Sequence, residues 1–223
     1  MIRRLISRFA GFAIVAIVAY ALLSLFPTKP ANGQAVDKAA VAVANTEKDI
    51  AAVVKRTQQL GAAINNNLDS PDGRRELPGQ LTQFQSETSR LQKLLSALDK
   101  DADAYDNARS NAMKEFESHM DQIRHVYTKR KMERLHDIAY EQSGNALMNA
   151  RASAVSGRQA LEQSTDLEHV AACIKIGSEL ETDGHDLDLQ VQNVKTAVAE
   201  YTRRTEQLLA ALAQGIASAE AGS

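Results

Sequence analysis

Apolar positions recur every three or four residues along most of the chain. That spacing lays them in one stripe on the face of an α-helix. Val36, Ala39, Val43, Thr46, Ile50, Val53, Thr57, Leu60 and Ile64 make the first stripe. It runs out at Asn65-Asn66-Asn67-Leu68-Asp69. Ser70-Pro71-Asp72-Gly73 and Leu77-Pro78-Gly79 then carry turn and breaker signals, which predict a loop over 69–79. A second stripe begins near Gln80. It runs through Leu81, Phe84, Thr88, Leu91, Leu95, Leu98, Ala102, Tyr105, Arg109, Ala112, Phe116, His119, Ile123 and Val126 in one heptad phase. The phase slips near Lys129-Arg130-Lys131 and resumes less cleanly at Met132, Leu135 and Ile138. No proline follows Pro78, so the pattern predicts a single helix reaching Gln163, about 120 Å long.

Thr165 and Glu168 have the spacing of a capping box, in which each side chain satisfies an orphan backbone N–H at a helix start. Leu167, Val170, Ile174 and Gly177 follow. Leu180, Gly184, Leu187, Val191, Val194, Val198, Tyr201, Thr205, Leu208 and Leu212 continue the stripe. The small, polar tail from Ala213 is expected to fray. Short turns between long helices make antiparallel neighbours. A loop at 69–79 sets residue i of the first helix opposite about 149 − i of the second. A turn at 163–165 sets the second opposite about 328 − i of the third, which would bring Gly144 to Gly184. Two architectures satisfy this pattern. One is a rod two helices thick with the second helix unbroken. The other is an antiparallel bundle with that helix broken near Asp106-Asn107-Ala108-Arg109-Ser110-Asn111, whose Asp, Asn and Ser are weak helix formers. The unbroken phase favours the long helix, and a two-stranded rod would leave seam surface free for self-association.

The N-terminus follows another pattern. Arg3, Arg4 and Arg8 precede an uncharged apolar run from Phe9 to Phe26, closed by Pro27 and Pro30. Eighteen helical residues span roughly 27 Å, close to the hydrocarbon thickness of a bilayer. The arginines on one side predict a cytoplasmic N-terminus and an exported remainder. Residues 1–8 thus form a basic cytoplasmic region, 9–26 a transmembrane signal anchor, 27–35 a linker, 36–215 a helical coiled-coil domain and 216–223 a flexible tail. The alternative is a cleaved signal peptide, with Gly33-Gln34-Ala35 offering a peptidase small residues. The apolar run is longer than the usual signal core, which favours the uncleaved anchor.

Composition agrees with long helices. Aromatics are 4% of the 223 residues, there is no Trp, and there are four prolines, so a large aromatic core is excluded. A net charge of −2 argues against nucleic acid as a partner. The lone Cys173 excludes an intrachain disulfide framework and is expected as a small buried residue beside the seam.

Candidate chemistry is sparse. Asp99, Asp101 and Asp103 resemble the start of a calcium loop, but Ala104 and Ser110 stand where that loop needs Gly and Glu. His119, His125, His136, His169 and His185 include no i, i+4 pair flanking a Glu in the zinc-helix manner. His119 falls on the stripe as a partly buried seam residue. No catalytic, cofactor-binding or metal residue is expected. The one concentrated charge feature is basic: Arg124, His125, Lys129, Arg130, Lys131 and Arg134, beside His136. The 328 − i register would add Arg203 and Arg204 and leave the patch unmatched within the hairpin, free for an anionic surface or the acids of a second copy.

The sequence therefore predicts an all-α protein: an N-terminal transmembrane helix, then long antiparallel coiled-coil-like helices in a rod or an elongated three- or four-helix bundle. The expected function is a non-enzymatic scaffold or adaptor in the bacterial inner membrane. It would be single-pass, with its C-terminal domain in the periplasm, and would hold a protein partner or a second copy of itself. The alternatives are an extracytoplasmic ligand-sensing bundle acting through a partner, and a helical protein secreted or released to the periplasm after cleavage near Ala35.

Overall fold

A computed structural model describes residues 31–179 and 184–221. Among these, 96% are helical and no strand occurs, as an all-α chain requires. Four helices follow in order: α1 (Ala31–Asn67), α2 (Pro71–Asp121), α3 (Val126–Glu179) and α4 (Gly184–Ala221). The segment expected to be a membrane anchor lies outside the described residues. Among the described residues, no helix is long and apolar enough to cross a membrane.

The first connection is shorter than the sequence implies, because the breakers at 69–79 are absorbed into a helix start. Pro71 opens α2, where a missing N–H costs nothing. Ser70 caps it: its carbonyl accepts from the N–H of Arg74 at 3.0 Å and its Oγ from the N–H of Gly73 at 3.0 Å. The Nε of Arg74 donates to the carbonyl of Leu68 at 2.9 Å, satisfying an orphan acceptor past the end of α1. Gly73 is required here, since a Cβ would lie 2.5 Å from the carbonyl oxygen of Asn67. Pro78 lies inside α2. The helix is held there by its buried neighbour Leu77, which belongs to the core.

The second connection corrects the single long helix. The chain turns at 122–125, not at 106–111 or 163–165. Residues 106–111 are ordinary interior turns of α2. The end of α2 tightens as the N–H groups of Gln122 and Ile123 donate to the carbonyls of His119 and Met120, each at 3.1 Å. His125 then starts α3. Its carbonyl accepts from Lys129 N–H at 2.9 Å, and its Nδ1 lies 3.4 Å from the N–H of Thr128. A histidine in the capping position explains why the sequence gives no warning. The supposed capping box is interior to α3. Thr165 Oγ1 donates back to the carbonyl of Leu161, and Glu168 accepts from Thr88 Oγ1 of α2 at 3.1 Å. The 328 − i register falls with it. Gly144 faces Arg109 of α2 rather than Gly184.

The helix ends differ too. α1 already begins at Ala31, inside the stretch read as a linker, and α4 continues to Ala221, through most of the expected tail.

The described chain forms two compact units. One takes 31–47, 97–152 and the end of α4 from Ala211; the other takes Lys48–Ser96 and Ser153–Ala210. In the first, α1 and α2 are antiparallel. Asn32 Nδ2 donates to Glu115 Oε2 at 2.6 Å and Thr46 Oγ1 to Asp101 Oδ2 at 2.7 Å, close to the expected 149 − i. α3 turns back along α2 in the same unit, with Arg109 bonded to Ser143 and Arg151 to Asp106.

In the second unit all four helices share one core, so it is four helices thick rather than two. Ile64 of α1 and Leu68 just past its end meet Leu77, Leu81 and Phe84 of α2, Leu167 and Ala171 of α3, and Val191, Val194, Val198 and Tyr201 of α4. Phe84 and Tyr201 pack edge to face, centroids 5.1 Å apart. Val191 and Val194 are buried, as their place on the stripe implies, but in a core with Leu77, Leu81, Phe84 and Leu167 rather than opposite 134–137 as the 328 − i register implies; Leu187 lies outside the residues whose side chains are described.

Candidate interaction surface

The basic cluster sits at the α2–α3 turn of the first unit. Arg124 and His125 lie in the turn itself, and Lys129, Arg130, Lys131 and Arg134 in the opening turns of α3. Arg124, His125, Arg130, Lys131 and Arg134 are exposed. Lys129 reaches back across the turn to Asp121, Nζ to Oδ1 3.3 Å, so part of the patch is matched after all. Between Asp121 and Arg134 five lysines and arginines stand against two carboxylates, Asp121 and Glu133.

Two apolar side chains share this surface. Val126 is 65% and Tyr127 73% exposed. The sequence placed Val126 on the buried stripe of a continuous helix. The turn takes it off that stripe, and the phase slip at 129–131 is the one sign of this in the sequence. Ile138, expected on the seam, is also exposed, and Ala139 takes the buried position.

A hydrophobic plug braces the turn from beneath. Phe116, Met132 and Ala139 are buried together, with Met113, Met120, Ile123 and Leu135 packed against them. His136 stacks between Phe116 and Tyr140, at centroid distances of 5.4 and 6.2 Å. Its Nε2 lies 3.4 Å from Glu117 Oε1, within ion-pair range, but makes no hydrogen bond. Below that column the guanidinium of Arg109 is stacked 4.3 Å from the Tyr140 ring centroid. Its Nε donates to Ser143 Oγ at 2.7 Å and a terminal nitrogen to the Tyr140 carbonyl at 3.1 Å. Asp106 Oδ1 lies 3.7 Å away. Arg109 is buried, so these partners are what makes its charge tolerable. Burial pushes the Tyr105 hydroxyl up to about 12, against the pull of the Arg109 charge.

Arg203 and Arg204 are not brought to this cluster. They belong to the second unit, on α4, where both bind the carboxylate of Glu200. Hydrogen bonds from Arg203, and then from Arg204, hold Glu200 down at about 2.

Other candidates resolve into structural roles. Asp101 accepts from Thr46, and Asp103 lies 3.5 Å from Arg151. His119 is partly buried, as its place on the stripe implies. Cys173 is exposed, not buried beside the seam, because α3 turns that face outward. No group of three or more metal-ligating side chains comes together among the described residues. In the second unit a groove of about 310 Å³ between α2 and α3 is lined by Thr88, Ser89, Gln92, Glu162, Ser164 and Glu168, with Leu161 and Thr165. It is shallow and polar, no histidine lines it, and its Thr88 hydroxyl and Glu168 carboxylate are bonded to each other across the two helices.

The chain matches no known family, curated protein or solved structure.

Proposed function

We propose that the protein is a non-enzymatic scaffold or adaptor, anchored in the bacterial inner membrane by residues 9–26 and presenting its helices to a protein partner in the periplasm. One observation carries the uncleaved anchor. The folded first unit already uses residues ahead of the possible cleavage point at Ala35: Asn32 bonds Glu115, and Gly33 is buried. Cleavage after Ala35 would delete both from the unit. The apolar run ends at Phe26, so four residues, 27–30, separate it from the start of α1. A tether that short holds the first unit close to the membrane rather than letting it range freely.

The scaffold role is supported by where the polar groups go. Buried Thr57, Arg109, Ser143 and Thr205 are each bonded to a neighbouring helix or to their own helix backbone, and so serve to fix packing. The test is fractionation of cells making the full-length chain. It is expected in the membrane fraction, retained through high salt and alkaline wash, with crosslinking then identifying the partner. A soluble mature protein beginning at Val36 would overturn the anchor.

A further inference from the structure

We infer that the α2–α3 turn is a docking surface for anionic lipid headgroups, lying against the same membrane that holds the anchor. The inference rests on the anchor proposed above, and adds a second contact between the protein and the bilayer.

The geometry comes from the first unit alone. α1 enters that unit at Ala31, and Asn32 is bonded to Glu115 of the antiparallel α2. α2 continues six residues past Glu115, to Asp121. It therefore extends about 9 Å beyond the start of α1, toward the side from which the chain arrives. From Phe26 to Ala31 the chain can span at most about 18 Å. With Phe26 at the edge of the hydrocarbon layer, roughly 10 Å is left between turn and bilayer at full stretch, near one Debye length at physiological salt.

The surface has the chemistry for that position. Arg124, Arg130, Lys131 and Arg134 are exposed cations, and a basic segment beside a membrane is drawn to anionic headgroups. Val126 and Tyr127 stand among them, largely exposed. Tyrosine has an apolar ring and a polar tip, which suits it to the headgroup level. The neighbouring acids are partly engaged: Asp121 holds Lys129, Glu117 lies beside His136, and Glu115 holds Asn32. Glu133 and Asp137 are the remaining carboxylates on the first turns of α3, and both are exposed. The plug of Phe116, Met120, Ile123 and Met132 holds the turn as one rigid tip, so little ordering is left for the membrane to impose.

The experiment places a fluorescent probe on Gln122→Cys, an exposed turn residue, in a Cys173→Ser background. The full chain is reconstituted into vesicles carrying a headgroup-attached quencher. The vesicles are phosphatidylcholine alone or phosphatidylcholine with phosphatidylglycerol. Ala104→Cys is the comparison probe, exposed on α2 and about 26 Å from Asp121 along the helix. In anionic vesicles the Gln122→Cys probe should be quenched more strongly than the Ala104→Cys probe. That excess should shrink to what the tether alone gives in neutral vesicles, at raised salt, and in the Arg130→Glu/Lys131→Glu/Arg134→Glu variant, which leaves the Lys129–Asp121 pair intact. If that variant loses helicity by circular dichroism, Arg130→Gln/Lys131→Gln takes its place. Equal quenching at the two positions, or an excess indifferent to these charges, overturns the docking surface. An alkaline wash of the same vesicles separates the two ideas. A retained chain with equal quenching leaves the anchor standing and removes the docking, whereas a released chain removes both.

Discussion

The hydroxyl of Tyr201 donates to Thr57 Oγ1 across 2.7 Å, joining α4 to α1 in the core of the second unit. Both residues are fully buried, and Thr57 Oγ1 in turn donates to the carbonyl of Val54 at 2.8 Å. Burial pushes the tyrosine hydroxyl up to about 12, so it remains a donor at any ordinary pH. Tyr201→Phe keeps the edge-to-face contact with Phe84 and removes the bond. A loss of about 1–2 kcal/mol is expected in urea unfolding. Tyr201→Ala also opens a cavity and should cost about 3–5 kcal/mol. Equal stability of the phenylalanine variant and the parent would show that the bond contributes nothing.

Glu47 gives a pH dependence. It is buried in α1, and desolvation pushes its carboxyl from 4.5 up to about 7. The folded-state value is raised, so the folded protein holds the proton longer than the unfolded chain. Its contribution to stability is fully present below pH 4.5 and is lost as the pH rises through 7, by roughly 3 kcal/mol in all. Glu47→Gln removes that titration. Urea midpoints taken from pH 4 to 8 should therefore fall less steeply for the variant than for the parent, and the variant should be the more stable at pH 8. Parallel profiles would mean that Glu47 is not responsible.

Arg109 and Ser143 are expected to behave as a coupled pair. Ser143 Oγ accepts from Arg109 Nε and donates to the Ala139 carbonyl at 2.6 Å, so it links α2 to the backbone of α3. Ser143→Ala leaves a buried guanidinium short of an acceptor and should cost about 1–3 kcal/mol. Once Arg109→Met is in place, the same change should cost less. The double-mutant cycle then gives a coupling energy of about 0.5–3 kcal/mol, and a value near zero would show the two side chains to be independent.

Gly157 marks a close approach of α3 to α2 in the second unit. A Cβ there would run into Leu95 Cδ2 and lie 2.9 Å from Cδ1 and 3.2 Å from Cγ, and Leu95 is itself buried. Helix propensity favours Gly157→Ala by about 1 kcal/mol. Overpacking opposes it by about 1–3 kcal/mol. A net loss of melting temperature is expected, and in a Leu95→Ala background, where the room already exists, the same change should cause no further loss. A gain from Gly157→Ala alone would show that Leu95 moves aside freely.

The seams of α2 and α4 were legible because large apolar residues fill them. Leu81, Phe84, Leu91, Leu95, Leu98, Tyr105 and Phe116 are all buried, as are Val191, Val194, Val198, Tyr201 and Leu208. In α1 the seam was placed slightly to one side. The buried set is Gly33, Val36, Ala40, Val43, Glu47, Ile50, Val54, Thr57, Gly61 and Ile64, with Val53 beside them and Leu68 just past the helix end, whereas Ala39, Thr46 and Leu60 are partly exposed. A small residue, a glycine and a carboxylate at inward positions do not register in an apolar count. α3 is the extreme case. Between Met132 and Leu167 its inner face is mostly small, Ala139, Ser143, Ala146, Ala150, Ser153, Ala154, Gly157, Ala160 and Ser164 with Leu147 among them, while Met148 and Val155 point to solvent.

What the sequence determined by itself is therefore the helical class, the two best seams and the existence of a basic cluster. Heptad spacing and runs of like charge are properties of consecutive residues, and consecutive residues carry them whatever surrounds them. What only the tertiary structure decided is where the chain turns and which cations meet. The turn at 122–125 has no glycine, no proline and no Ser, Thr, Asp or Asn cap in the turn itself. It forms because folding back there buries Phe116, Met120 and Ile123 against Met132 and Ala139, a gain that exists only once α3 lies beside α2. The same turn sets Val126 and Tyr127 among the arginines and leaves Arg203 and Arg204 to Glu200.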